Sequence, residues 1–212
     1  MKLRTAVFAS GGGSNFQALL EHQSPAGLWE IVLLVTDRAD AGAMRRARAA
    51  GVAVAVVSPG SHDPAEVARE LLEVLDGHGV ELVLLAGYLK LVPRAVVERY
   101  RRRMLNIHPA LLPKFGGEGM YGMRVHRAVL EAGEAESGAS VHLVDEEYDR
   151  GQVIAQRRVP VREGDTPEAL AARVLAVEHE LYPAAVDHVC EALAAGGEPT
   201  PMSVHTTTEE MK

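Results

Sequence analysis

The chain has 212 residues, 47% of them hydrophobic and only 4% aromatic, and a formal net charge of −7. Length and apolar content suit a single α/β domain with a sizeable core. The acidic balance argues against non-specific binding to nucleic acid or an anionic membrane, and the few aromatics argue against a stacking platform for single strands. Cys190 is the sole cysteine, so no intramolecular disulfide and no cysteine-based metal site can form, and a reducing cytoplasm is the expected location. No stretch has the make-up of a signal peptide or the length of a membrane span.

Leu3 to Ala9 reads as a buried strand, followed by Ser10-Gly11-Gly12-Gly13-Ser14-Asn15 and a helix from Phe16 to Glu21. Strand, glycine turn and helix is the arrangement in which backbone N–H groups and a helix N-terminus hold an anion. It is no P-loop, because no Gly-Lys-Ser/Thr follows. Nor is it a dinucleotide fingerprint, because Phe16 stands where the third glycine would be. Three glycines and two small polar residues favour a phosphate monoester over a plain tight turn.

Strands are expected at Glu30 to Thr36, Val52 to Val57 and Glu81 to Ala86, with helices at Ala43 to Ala50 and Pro64 to His78. Strands that are apolar throughout and alternate with helices predict a parallel sheet covered on both faces, with the ligand at the C-terminal strand ends. After Gly87, the segment Tyr88-Leu89-Lys90-Leu91-Val92-Pro93 can wall a flat ligand or pack under the next helix. That helix is expected from Val96 to Arg103, with the basic run Tyr100-Arg101-Arg102-Arg103 at its C-terminal end.

Met104-Leu105 leads into Asn106-Ile107-His108-Pro109. Asn106 and His108 are two apart and face one side of an extended chain, and Pro109 biases His108 towards extended geometry. An amide beside an imidazole that titrates near neutrality suits the making and breaking of a tetrahedral carbonyl intermediate. A surface histidine in a loop is the plain alternative. The segment Gly116 to Gly122 has the composition of a mobile flap, and a helix from Val125 to Ala132 follows it.

Gly138 to Val144 and Val153 to Val159 then read as strands joined by the acidic turn Asp145 to Gly151. A crossing back through the sheet would bring that turn to the ligand rim, where Asp149 could raise the basicity of His108. An Asx turn is the ordinary use of such an aspartate. The last helix runs from Pro167 to Ala195, interrupted or kinked near Pro183, and residues 196–212 read as a loose tail. Glu178-His179-Glu180 lacks the spacing of a metal site, so no metal is expected, and His142 and Cys190 read as packed residues.

Taken together, the glycine loop, Leu85-Ala86-Gly87-Tyr88-Leu89, Asn106 through Pro113, Gly138 through His142, Asp145 through Gly151 and Val177-Glu178-His179 resemble the glycinamide ribonucleotide formyltransferase family. The resemblance covers residues 3 to 190. It implies one domain over residues 1–195 with a tail at 196–212, built on a mostly parallel, Rossmann-like sheet whose last strands are partly antiparallel. It also implies formyl transfer from 10-formyltetrahydrofolate to the amine of a ribose phosphate in purine synthesis, with no metal, no nucleic-acid or membrane partner, and a homodimer as a conceivable assembly.

By the same resemblance, Asn106, His108 and Asp149 are catalytic and His142 stands behind them. Gly13, Ser14, Asn15 and Glu178 hold phosphate and ribose. Leu89, Lys90, Leu91, Val92, Asn106, Asp145, Glu146, Glu147, Tyr148 and Asp149 hold the folate. Pro64 and Leu175 depart from the family pattern, which often has an arginine that helps hold the folate at the first place and sometimes a basic residue at the second; Arg69 is the arginine nearest to Pro64. Methionyl-tRNA formyltransferases share the Asn-x-His and Leu-Leu-Pro motifs but add a C-terminal RNA-binding domain. Formyltetrahydrofolate deformylases add an N-terminal regulatory domain. Neither addition is legible in this sequence, and a ribose-phosphate-binding module without catalysis is the non-enzyme alternative.

Overall fold

A computed structural model describes residues 2–58 and 63–202. Among these residues, the strands are β1 (Leu3–Phe8), β2 (Trp29–Thr36), β3 (Ala53–Val56), β4 (Leu82–Leu85), β5 (Met104–His108), β6 (Glu136–Leu143) and β7 (Val153–Pro160). The helices are α1 (Ser14–His22), α2 (Gly42–Ala49), α3 (Pro64–Gly77), α4 (Arg94–Arg99), α5 (Met123–Glu131) and α6 (Pro167–Ala194). The strands form one sheet in the order β3-β2-β1-β4-β5-β6-β7. β1 to β5 are parallel, and β6 lies antiparallel to both β5 and β7.

Alternation along each strand feeds two cores. Val7, Leu34, Leu84 and Leu105 pack with Phe16 and Leu19 of α1, Ala43 and Ala47 of α2, and Val174 and Val186 of α6. Ala6, Phe8, Leu33, Val83 and Met104 pack with Leu71 and Leu75 of α3 and Val96 of α4. The chain runs outward through β1, β2 and β3, then crosses the opposite face to β4. The strand order therefore reverses between β1 and β4, and their C-terminal ends open a crevice there.

Three expectations need correction. α4 ends at Arg99, short of the basic run. Tyr100 is fully buried, its hydroxyl donating to the Val80 carbonyl at 3.1 Å, and Arg102 turns left-handed at φ 63°, so the chain turns there to enter β5. α6 is not interrupted at Pro183 but runs as one helix past it. The segment after α6 is not loose over its described part: the Thr200 carbonyl faces Nε2 of His188 at 2.9 Å, and the Met202 N–H donates to the Ile154 carbonyl of β7 at 2.7 Å. The rest of the expected tail, 203–212, lies outside the described residues. No helix of the described residues is long and apolar enough to cross a membrane.

Candidate active site

A cleft of about 670 Å³ crosses the C-terminal rim of the sheet. Gly11, Gly12, Gly13, Ser14 and Asn15 line one end, together with Ala171, Leu175 and Glu178 of α6. The glycine loop has this shape for steric reasons. Gly13 has φ 73°, and a Cβ there would stand 2.8 Å from the Cβ of Ala43. α1 begins directly after it without a side-chain cap, so its first-turn N–H groups remain for a ligand. Asn15 donates to Oε2 of buried Glu178 at 2.7 Å, and burial, only partly offset by this bond, raises the Glu178 pKa. Oδ1 of Asn15 is buried without a partner.

Further along, Asn106 and His108 project from β5 on the face away from α6. Asn106 stands opposite His142, and His108 opposite Ser140, across the antiparallel ladder. The acidic turn leaves β6 beside the start of β5, where the Val144 N–H donates to the Met104 carbonyl. It reaches the site by folding back over the sheet face rather than by emerging at the rim. Gly151 permits this, because a Cβ there would overlap the Leu143 carbonyl oxygen.

Asp149 consequently meets four groups, one of them Nε2 of His142 at 3.4 Å from its Oδ1. Its Oδ2 lies 3.5 Å from Nδ1 of His108 and accepts the Gly117 N–H at 2.9 Å, and its Oδ1 accepts from Nδ2 of Asn106 at 3.3 Å. Burial opposes its ionisation. The neighbouring His142 and His108 and the Gly117 N–H more than offset that, so its pKa is lowered. His108 is 3% exposed, and burial lowers its pKa against the opposing pull of Asp149 and the Phe115 carbonyl.

The hydrogen bonds assign the protons. The Phe115 carbonyl, 2.8 Å from Nε2 of His108, can only accept, so that nitrogen carries hydrogen. The Leu143 carbonyl, 2.9 Å from Nδ1 of His142, likewise places a hydrogen there. Nε2 of His142 is then an acceptor for Nδ2 of Asn106 at 3.0 Å. That bond fixes which way the Asn106 amide faces.

Much of the remaining wall is apolar. Leu85, Ala86, Leu91, Val92, Val97, Ile107 and Val144 line it, with exposed Leu89, Tyr121 and Tyr148 also facing it. Lys90, Asp145, Glu147, Tyr148 and Asp149 line it as well. Glu146 does not, because it turns outward to Arg94 at 3.5 Å. The Leu89 N–H is engaged by Oγ of Ser10 at 2.9 Å and the Glu147 N–H by Oδ1 of Asp145 at 3.0 Å, so neither is free for a ligand edge. Pro64 opens α3 outside the cleft lining, and exposed Arg69 pairs with Glu73 at 3.0 Å.

Three contributors were not legible in the sequence. Ser10 straps the glycine loop to the segment after β4. Phe115 supplies a main-chain carbonyl, which no sequence motif marks. Buried His126 of α5 lines the cleft, and burial together with the nearby His108 lowers its pKa. Its helical apolar spacing reads as core. Among the described residues, no group of three or more His, Cys, Asp or Glu side chains could hold a metal ion.

An amide, a buried imidazole and a carboxylate share the cleft with an uncapped helix N-terminus, an arrangement suited to group-transfer chemistry. Residues 3–186 match the formyl transferase family, and the chain belongs to it. It is 49% identical over 191 residues to the chloroplastic phosphoribosylglycinamide formyltransferase of Arabidopsis thaliana, a match covering 89% of this chain and 65% of that protein. It is 39% identical over 183 residues to the phosphoribosylglycinamide formyltransferase of Escherichia coli K12, covering 85% and 84%. The solved structure of glycinamide ribonucleotide transformylase 1 from Symbiobacterium toebii superposes with a TM-score of 0.83 at 39% identity, covering 90% of this chain and 88% of that one.

Proposed function

We propose that this chain transfers the formyl group of 10-formyltetrahydrofolate to the amine of glycinamide ribonucleotide. The observation that carries the reading is the convergence of Asn106, His108 and Asp149 in the cleft that also holds the glycine loop. The named relatives support the choice of substrates.

The chemistry is attack of the glycinamide nitrogen on the formyl carbon, through a tetrahedral oxyanion that collapses with loss of tetrahydrofolate. The glycine loop and the α1 N-terminus hold the phosphate, and Asn15 and Glu178 meet the ribose hydroxyls. The apolar wall from Leu89 to Val92 and the acidic turn enclose the pterin, and Lys90 is the wall cation on that side. Holding both substrates in one cleft supplies much of the rate.

Asn106 exchanges its long 3.3 Å bond to Asp149 for the oxyanion. His108, neutral in the resting site because burial lowers its pKa, takes the proton released by the attacking amine. Nε2 already donates to Phe115, so the proton goes to Nδ1, where Asp149 stabilises the imidazolium. That proton then serves the departing N10. His142 keeps the Asn106 amide facing the reaction.

Purified protein should change the absorbance of 10-formyltetrahydrofolate only when glycinamide ribonucleotide is also present. Release of formate without the ribonucleotide would mark a deformylase, and no change under either condition would mark a binding module. Either result overturns the proposal.

A further inference from the structure

Among the described residues, neither the glycine loop nor the part of α6 that lines the cleft supplies a cation to its wall. Among the described residues, Lys90, beyond β4, and Arg124, at α5, are the Lys and Arg side chains that line the cleft. The Arg124 guanidinium sits 4.9 Å from the Tyr121 ring centroid. Neither comes from the glycine loop or from α6, where Ala171, Leu175 and Glu178 face the loop's end of the cleft. A phosphate monoester is close to dianionic at neutral pH, and a helix N-terminus offers only about half a positive charge.

The missing cation stands behind the loop. Half-buried Arg46, on α2, donates from Nε to the Gly12 carbonyl at 2.9 Å and from Nη1 to Oε1 of Gln17 at 3.1 Å. Among the described residues no carboxylate pairs with it. One turn earlier, the Ala43 N–H donates to the Gly11 carbonyl at 3.1 Å. In a trans peptide the N–H points opposite to the C=O. Tying the Gly11 and Gly12 carbonyls to α2 therefore turns the N–H groups of Gly12 and Gly13 away from α2 and towards the cleft.

We propose that Arg46 is the positioning and charge-balancing residue of the phosphate subsite. It pins the Gly12–Gly13 peptide with its N–H towards the ligand, and its otherwise unpaired charge offsets the phosphate through that peptide. The inference rests on the functional reading only in taking the phosphate to be part of the substrate.

The test compares wild type with Arg46→Met and Arg46→Lys on three readouts: KM and kcat for glycinamide ribonucleotide, kcat/KM for the riboside that lacks the phosphate, and calorimetric binding of ribose 5-phosphate. Arg46→Met should raise KM for the ribonucleotide about tenfold, the effect of losing one charge-assisted bond, with kcat held within about twofold. Ribose 5-phosphate binding should weaken by a similar factor, and kcat/KM for the riboside should match wild type. Arg46→Lys, which keeps the charge and loses the second donor, should fall between.

Unchanged ribonucleotide KM in both variants overturns the proposal. So does an equal loss on the riboside, which would mean that Arg46 only holds the fold. If wild type transfers no formyl group, the functional reading fails instead, and the calorimetric comparison still decides the role of Arg46.

Discussion

Phe115 and Asp149 supply the two acceptors around the His108 ring, and both are left-handed, at φ 57° and φ 55°. Non-glycine residues held there cost on the order of 1–3 kcal/mol each, and such strain gathers at functional sites. The carbonyl of one holds the imidazole by Nε2, and the carboxylate of the other faces Nδ1, where the second proton arrives. Glycines make the arrangement possible. A Cβ on Gly116 would come within 2.5 Å of Leu112 and 3.1 Å of the Asp149 Cβ.

Replacing His108 by Ala should remove the proton carrier while leaving the cleft open. Turnover should fall by about 10³-fold, within the range for a general acid–base group. Both substrates should still bind, as calorimetry would report. Near wild-type formyl transfer by this variant would sink the assignment.

The pH profile follows from burial. Neutral His108 is the reacting form and its pKa lies below 6.5, so kcat/KM should climb with pH along a limb below 6.5 and level off above it. Asp149→Asn removes a charge that raises that pKa, so the limb should move to lower pH while the plateau drops. Between the depressed pKa of His108 and 6.5, the unfolded chain binds more protons than the native one, so stability should rise with pH across that window. Asp149, lowered from 3.8, should add a further loss as pH falls below that value. Thermal melts against pH would check both.

Glu178 should show the opposite sign. Its pKa is raised above 4.5, so the native state holds the extra proton and stability should fall as pH rises from 4.5 through the raised value. Glu178→Gln should remove that slope and raise KM for the ribonucleotide. Asn15→Leu strands the buried Glu178 carboxyl and should cost about 1–3 kcal/mol in a denaturant titration.

Gly116→Ala should push the segment after Phe115 off Asp149, breaking the Gly117 N–H bond that anchors the carboxylate. A loss of about 1–3 kcal/mol in stability should accompany a fall in kcat larger than the change in either KM. A variant with unaltered kcat would show that this contact does not position Asp149.

Tyr182→Phe tests the support beneath the site. The hydroxyl lies 3.1 Å from both the Leu85 and Leu105 carbonyls, at the end of the β4–β5 ladder that presents Asn106. Loss of this buried bond should cost about 1–2 kcal/mol in thermal unfolding, with kcat falling more than KM rises.

Local rules were enough for the elements and for the pairing of Asn106 with His108. Apolar runs, glycine punctuation and a period of two are properties of neighbouring residues, and they account for the parallel sheet, the glycine loop at its rim and the two side chains on one face of β5. The basic run after α4 reads as a helix end because charge at a helix end and charge in a turn look alike in sequence; the burial of Tyr100 against Val80 makes it a turn. Only the tertiary structure decided how Asp149 arrives, by a loop folded back over the sheet face, because that path depends on a hairpin register and on Gly151 fitting beneath a carbonyl. The Phe115 carbonyl on His108, the Ser10 strap on Leu89 and Arg46 behind Gly12 were likewise decided in three dimensions. Each joins a main-chain group to a side chain elsewhere in the chain, and main-chain groups are the same at every position of a sequence.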